Sequence, residues 1–454
     1  MKSEPLLATA GPEGAVAYRE GRPISRLQFI ADTAALAARL PAAGTMLNLS
    51  IDRYRFAVGL GAALWRGQTS LLPSNHTPHT VERLRASFTS IYALVEGDDE
   101  GHGLPIVAHD DGHAPGSMKG APPSIDADLI AAQVLTSGST GEPMPHPKPW
   151  GLLVASARTE AARLAQAMGR ETLYGVALVA TVPPQHMYGF ETSVLLALHG
   201  GAAFDAGRPF YPADIAAALE RVPAPRMLVT TPFHLKTLLE SGVVLPPIDL
   251  VVCATAPLSP QLAARAERAF AAPLLEIYGC TEAGQVATRR PTSGPEWRAF
   301  DGLALRGDGD AVIVSGGHAP QPTLLADVLE VVDAETFRLL GRSNDLVNIA
   351  GKRSSIGHLN FHLNAIEGVL DGSFWMPPDD ADAPAVARLV AFVVAPGITA
   401  EEIRAALRLR IDVAFVPRRI VAVDALPREA TGKLTSARLA ELAATHRVWH
   451  GTAR

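Results

Sequence analysis

The apolar positions of this chain change period as it advances. Leu27, Ile30, Ala34 and Leu40 recur on one face of a helix spanning residues 25–40, and residues 45–51 then read as a strand. A second helical stretch follows at 54–65, ends at Gly67 and leads into a short strand at 70–72. Residues 97–123, rich in Gly, Asp, His and Pro and without periodicity, read as a surface connection. Beyond it an apolar run at 129–135 enters a polar loop, and the alternation resumes. Helices are predicted at 152–168, 212–221, 232–240 and 259–270, and strands at 173–182, 227–231, 250–253 and 273–277. Ser259 before Pro260 pairs a hydroxyl cap with proline at the first helical position. Strand and helix in alternation favour parallel sheet covered by helices.

After Gly294 the pattern breaks into shorter, turn-separated strands such as 311–315 and 328–333, which suggests a small barrel-like sheet against the main body. The polar segment 340–345 then leads to a helix at 356–370, a strand at 389–394 and a helix at 401–413, with Thr399 and Glu402 at capping-box spacing. The expected fold class is α/β. A large N-terminal domain, 1–341, holds stacked, mostly parallel sheets with helices and the small barrel-like sheet, and a small α+β domain, 342–454, follows.

Composition narrows the function classes. The 454 residues are 48% hydrophobic and 19% charged, a globular balance with length for roughly two to four units. The 40 basic and 46 acidic residues, net charge −6, are spread along the chain, so no nucleic-acid or polybasic membrane footprint emerges and small metabolites are the expected ligands. Two cysteines, Cys253 and Cys280, give no disulfide framework. The first 14 residues lack the apolar core of a signal peptide, and no apolar run reaches the roughly 18 residues that span a bilayer, so a cytoplasmic location is expected.

The candidate chemistry starts at Leu135-Thr136-Ser137-Gly138-Ser139-Thr140-Gly141-Glu142-Pro143, with Lys148 shortly after. Two glycines let a backbone close tightly with its N–H groups inward, and four hydroxyls add donors, which suits an anion with several oxygens. It is not the Gly-Lys-Ser/Thr type of loop, and taken alone it reads equally as a polar surface turn. A second marker, Tyr278-Gly279-Cys280-Thr281-Glu282, follows a buried strand and should emerge at that strand's carboxyl end, where open α/β sheets place their ligands. An aromatic face, a hydroxyl and a carboxylate there would make a nucleotide site; a plain strand-to-turn junction is the other reading.

Residues 136–143, 278–282, Gly341-Arg342, Gly351-Lys352-Arg353 and Pro427-Arg428-Glu429-Ala430-Thr431-Gly432-Lys433 resemble, in order, the core motifs of the adenylate-forming ligases. That superfamily holds the acyl- and aryl-CoA synthetases and the adenylation domains of peptide synthetases. The resemblance implies that Thr136, Ser137, Gly138, Ser139, Thr140 and Gly141 hold the ATP β- and γ-phosphates, with Tyr278 near adenine and Ala256 in the adenine wall. It implies Thr281 at the α-phosphate, Glu282 as a Mg²⁺ ligand, Asp327 on the ribose hydroxyls and Arg342 at ribose or phosphate. Lys433 would stabilise the charge that develops as the acid attacks ATP. The small domain would be mobile, hinged at Asn344, with Gly351 in the tunnel taken by the thiol. Pro183-Pro184-Gln185-His186-Met187-Tyr188-Gly189 resembles the segment beside the acid pocket, which gives His186 a lining role and makes Gly189 and Gly279 small pocket walls.

The form Gly-Glu-Pro-Met-Pro-His-Pro-Lys at 141–148 is similar to that of ligases of aryl polyene and xanthomonadin-type pigment pathways, which load hydroxybenzoate-like acids onto an acyl carrier protein. The expectation is thus ATP- and Mg²⁺-dependent adenylation of a small aryl acid, then transfer to the phosphopantetheine of an acyl carrier protein. Two alternatives stand beside it: a CoA ligase for aryl or short to medium fatty acids, and a nucleotide-binding regulator that has lost turnover. Four positions depart from the family pattern. Met144 stands where many members have the loop lysine, which Lys148 would replace among the ATP-binding residues; Ala254-Thr255-Ala256-Pro257 replaces a glycine pair, Ala326 a glycine and Asn344 a charged hinge residue. His358 and His362 have i, i+4 spacing, readable as metal ligands or as a solvated face, and Cys280 reads as a small structural residue.

Overall fold

The computed structural model describes residues 2–8, 14–73, 75–110, 122–137, 143–308, 311–342, 346–349, 352–377, 389–428, 434 and 436–446. Among them the N-terminal body is built on two large sheets. The first has six strands in the order Pro143–Pro149, Ile130–Ser137, Thr69–Pro73, Thr45–Asn48, Ile91–Val95, Ile106–Ala108. All its neighbours are parallel except the first pair. The second has eleven strands, and its central six, Leu274–Cys280, Leu250–Cys253, Arg226–Thr230, Ala177–Ala180, Ala203–Asp205 and Ala15–Arg19, are parallel. One apolar core joins both sheets, with Phe29, Phe56, Trp150, Phe190 and Phe204 fully buried.

Local chemistry sets the helix starts. Ser25, Asp52 and Ser259 each accept a hydrogen bond from the backbone N–H three residues on, opening Arg26–Arg39, Arg53–Trp65 and Pro260–Phe270. Helices Pro212–Arg221 and Pro232–Glu240 fall where the pattern predicts. Two C-terminal helices are shorter than predicted. Ile356–Asn364 ends at the Ala365 cap, after which the chain turns through Gly368 at φ +88°, and Ala400–Arg408 stops ahead of a 3₁₀ turn that Asp412 caps. The capping box of Thr399 and Glu402 is formed. Part of the expected connection at 97–123 is a strand, Ile106–Ala108, whose three residues are too few to show a period.

The strand Pro143–Pro149 was not expected, because four of its seven residues are proline. It lies on the edge of the first sheet, antiparallel to Ile130–Ser137 with Met144 opposite Thr136 and Lys148 opposite Ala132. Prolines at every second position put all the missing N–H groups on the outward side, where no ladder needs them, and forbid a further strand from adding there. The same alternation sends Met144, His146 and Lys148 to one common face.

Of the short strands after Gly294, Leu303–Asp308, Ala311–Gly316 and Ala319–Leu325 form a separate antiparallel sheet. Glu296–Ala299, Thr336–Arg342 and Asp327–Val331 instead extend the eleven-stranded sheet. A smaller C-terminal domain closes the chain. Its central strand, Val390–Val394, is antiparallel to Asp371–Trp375 and parallel to Arg419–Ala422, with Ile356–Asn364, Ala400–Arg408 and Ser436–Thr445 as its helices. Phe374, Ala391 and Phe392 are fully buried in its core.

Candidate active site

The carboxyl ends of the parallel strands in both sheets deliver the candidate residues. Strand Leu274–Cys280 is buried through Tyr278, whose hydroxyl donates to Asp327 Oδ2 at 2.7 Å and whose ring meets Trp297 and Phe337 edge-on. Asp327 pairs in register with Arg342 across the sheet edge. The expected adenine and ribose residues therefore stand together. Ala256 is half-buried in the link after Leu250–Cys253, just past Thr255, which adopts φ +83°.

Thr281 and Glu282 form the turn between Leu274–Cys280 and Gly284–Arg289, Thr281 half-buried and Glu282 exposed. The proline strand faces this turn. Lys148, 8% exposed, donates from Nζ to the carbonyl oxygens of Thr281 and, at 3.2 Å, of Glu282. His146 Nε2 lies 4.0 Å from Glu282 Oε1. Burial lowers the pKa of Lys148, opposed by Glu191 and Glu282, and that of His146, opposed by Glu282 and reinforced by the Lys148 charge. Met144, opposite Thr136 at the mouth of the loop, is 58% exposed. Four residues of strand, about 13 Å, separate Lys148 from that mouth. The Lys148 ammonium is thus directed at the Thr281–Glu282 turn.

On the acid side, Arg53 is fully buried and donates to Ala180 O at 3.0 Å, Val182 O at 2.9 Å and Ser193 Oγ at 2.7 Å. Gln185 Nε2 donates to Ser50 O at 2.6 Å, and the Tyr188 hydroxyl donates to Val252 O at 3.0 Å. These bonds fix the segment that carries His186. Its Nδ1 accepts from the N–H of Tyr188 and caps the short helix Met187–Gly189, which runs on into a π-helical stretch, Phe190–Leu195. The two glycines expected as pocket walls each have a packing reason. A Cβ on Gly189 would come within 2.1 Å of Pro183 O, and one on Gly279 within 2.5 Å of Gly284 O. The missing side chain at each makes room for neighbouring backbone.

Sequence reading missed a buried polar group behind the Thr281–Glu282 turn. Glu191, from the π-helical stretch, accepts from Ser156 Oγ at 3.2 Å and lies close behind the turn, its Oε1 only 3.1 Å from where a Cβ on Gly284 would stand. Glu160 is fully buried with Thr192 and Gln285 beside it, neither in good hydrogen-bonding geometry to its oxygens. Burial pushes Glu191 up to about 7 and Glu160 up to about 8. The available signal was periodicity: Leu153, Ala157, Glu160 and Leu164 share one helical face, which puts a carboxyl on an otherwise apolar stripe. Burial also pushes the Cys280 thiol up to about 12, which makes it a poor nucleophile. His358 and His362 meet edge to face at 4.6 Å, and burial lowers both, His362 to about 4.

Gly138, Ser139, Thr140, Gly141, Asn344, Gly351 and Lys433 lie outside the described residues, as do the side chains of Thr136, Ser137 and Arg342. The backbone still places 136 and 137 at the end of a strand next to the sheet's edge, with Ser137 opposite Pro143 in register. A single accessible carboxylate, Glu282, fits Mg²⁺ arriving with a nucleotide, because that ion keeps several waters and takes one or two carboxylates plus substrate phosphates.

Comparison with known proteins agrees with this geometry. The AMP-binding enzyme family matches residues 66–334, and the AMP-binding enzyme C-terminal domain matches 380–433. A 4-coumarate–CoA ligase of Rhodobacter capsulatus is 30% identical over 317 residues, 67% of this chain and 77% of that protein. A second, from Halorhodospira halophila, is 33% identical over 243 residues, 52% of this chain and 56% of its own. In fold, the chain is similar to ATP-bound MatB from Rhodopseudomonas palustris, with a TM-score of 0.78 at 18% identity over 96% of this chain and 97% of that one. With a hairpin whose Lys148 reaches the Thr281–Glu282 turn and a Tyr278–Asp327 pair on the strand leading into that turn, the chain belongs to the AMP-binding enzymes of the adenylate-forming superfamily, AMP-forming acid–thiol ligases that adenylate a carboxylic acid.

Proposed function

We propose that the acid is a small aryl carboxylate of the hydroxybenzoate type, and that the acyl group passes to the phosphopantetheine thiol of an acyl carrier protein. The observation that carries the reading is the convergence of the Tyr278–Asp327 pair and the Thr281–Glu282 turn beside the phosphate-loop hairpin. The aryl assignment is supported by relatives that are 4-coumarate–CoA ligases by name. The carrier-protein assignment rests on the sequence form at 141–148. The names of those relatives favour a second reading of the acceptor, free CoA.

In the first step the acid's carboxylate attacks the α-phosphorus of ATP, and pyrophosphate leaves. Two anions must approach, so N–H donors and cations are needed to offset repulsion and hold the atoms in line. Residues 136–141 would hold the β- and γ-phosphates, with Lys148 at the base of their hairpin, and Thr281 would contact the α-phosphate. Tyr278, Ala256, Asp327 and Arg342 would hold the nucleoside, and His186 would line the acid site. Mg²⁺, held by Glu282, would neutralise phosphate charge. Lys433 would stand against the charge that develops at the reacting oxygens. In the second step the thiol attacks the acyl carbonyl and AMP leaves. We place the domain boundary at 341/342 with the hinge at Asn344, so that the small domain presents Lys433 first and the thiol path beside Gly351 second.

Acid-dependent exchange of labelled pyrophosphate into ATP across a panel of aryl and aliphatic acids tests the first step. Exchange with hydroxybenzoates is expected, and none with any acid would leave a nucleotide-binding regulator as the better account. Offering CoA and holo carrier protein to the preformed adenylate then identifies the acceptor. Lys433→Ala should abolish exchange while ATP binding, measured by calorimetry, stays within about threefold, since the lysine acts on developing charge.

A further inference from the structure

We propose that Lys148 is a positioning residue: it locks the Thr281–Glu282 turn to the hairpin that carries the phosphate loop, and it does not itself touch phosphate. The inference rests on the adenylation reading and concerns how the two nucleotide-binding segments keep register. Lys148 Nζ is spent on two backbone carbonyls, those of Thr281 and Glu282, which lie 133 and 134 residues away in sequence. An ammonium has three donors, and here at least two point at peptide oxygens. A carbonyl held in place fixes its whole peptide plane, and with it the directions in which the Thr281 hydroxyl and the Glu282 carboxylate leave the chain.

The grip is two-sided. Behind the turn, Glu191, held by Ser156 Oγ at 3.2 Å, packs so closely that a Cβ on Gly284 would sit only 3.1 Å from its Oε1. Glu191 is also the carboxylate that acts most strongly on Lys148. A buried cation needs such a partner, because removing it from water without one is very costly. The turn is thus held between a lysine from the first sheet's edge strand and a glutamate from the π-helical stretch of the acid side. The proline alternation makes the first half possible, since it fixes Lys148 and His146 on the face turned toward residues 281–282.

The variant Lys148→Met keeps length and volume and removes the ammonium. Misplacing reacting groups by about 1 Å costs on the order of 100-fold, so kcat for pyrophosphate exchange should fall about 100-fold while KM for ATP changes less than about threefold. The double variant Lys148→Met/Glu191→Gln removes both charges, so its melting temperature should recover toward wild type while kcat stays low. Amide hydrogen exchange at residues 281–284 should accelerate at least about tenfold in Lys148→Met, a readout that needs no turnover. A tenfold rise in KM for ATP with kcat unchanged would make Lys148 a phosphate ligand and overturn the proposal. Wild-type kcat in the double variant would reduce the lysine to charge balance and overturn it as well. If the wild-type chain exchanged no pyrophosphate with any acid, the adenylation reading would fail separately, and unchanged amide protection at 281–284 in Lys148→Met would then decide against the lock.

Discussion

Thr255 holds a β-branched side chain at φ +83°, in the left-handed region that such residues avoid, in the link where the family has glycine. That strain costs about 1–3 kcal/mol, and glycine would remove it at an entropic cost of about 0.5–1. Thr255→Gly should therefore raise the unfolding free energy by roughly 1 kcal/mol, measured in urea. A destabilised variant would show that the threonine side chain holds the link. Glu160 gives a pH prediction with a definite sign. Its carboxyl titrates near 4.5 when exposed and is pushed up to about 8 by burial, so its share of stability is intact below pH 4.5 and is lost as pH rises toward 8. Glu160→Gln should remove that loss. The wild-type curve should fall relative to the variant's by at most about 1.4 kcal/mol per pH unit between those values. Parallel curves from pH 5 to 9 would contradict the assignment. At this scale the motifs told which side chains would come together, as Tyr278 and Asp327 do through their hydrogen bond. The close backbone approaches at Gly189 and Gly279, to Pro183 O and Gly284 O, were not legible, because they follow from how the chain turns back on itself.

At the scale of elements, period and caps sufficed for much of the parallel body. Pro212–Arg221, Pro232–Glu240 and Pro260–Phe270 begin with proline at the first helical position and carry clear apolar faces. The pattern failed at Pro143–Pro149, because an edge strand tolerates proline only in one phase relative to a partner, and that phase is a tertiary fact. The link between the two sheets was equally hidden. Arg53 lies one residue past the Asp52 cap and in none of the motifs, yet its guanidinium ties the start of Arg53–Trp65 to the end of Ala177–Ala180. Burial lowers it to about 10, so it stays charged at neutral pH. Arg53→Met would leave two carbonyls and Ser193 without their donor. A loss of about 3–5 kcal/mol is expected, together with a raised KM for the acid in whatever fraction folds, because the His186 segment loses its anchor. A calorimetric melt and the acid dependence of pyrophosphate exchange check both halves; an unchanged melt would deny Arg53 the tie.

For the whole molecule, the motifs revealed that a small domain follows the large one, and the contacts show what the junction rests on. Gly341 adopts φ +137°, and a Cβ there would overlap Ser355 Oγ at 1.7 Å. Ser355 is committed twice, donating to Leu340 O at 2.5 Å and capping the helix Ile356–Asn364 through the N–H of His358. Lys236, on a helix of the large domain, donates to the carbonyl of Leu370 in the small one. The first helix of the C-terminal domain is thus seated on the last strand of the large sheet, and only glycine permits the approach. A methyl at 341 must push Ser355 off Leu340 or off its cap, and either shift moves the small domain relative to the Thr281–Glu282 turn. Gly341→Ala is therefore expected to speed proteolytic cleavage within 342–352 and to lower adenylation at least about tenfold, while the large domain's ATP affinity holds, because the cost falls on orientation of the reacting groups. Unchanged cleavage and exchange rates would mean that the junction absorbs the methyl elsewhere. Gly341→Ala combined with Ser355→Gly separates the two causes: rescue of both readouts by removing the serine side chain would locate the effect in this one contact.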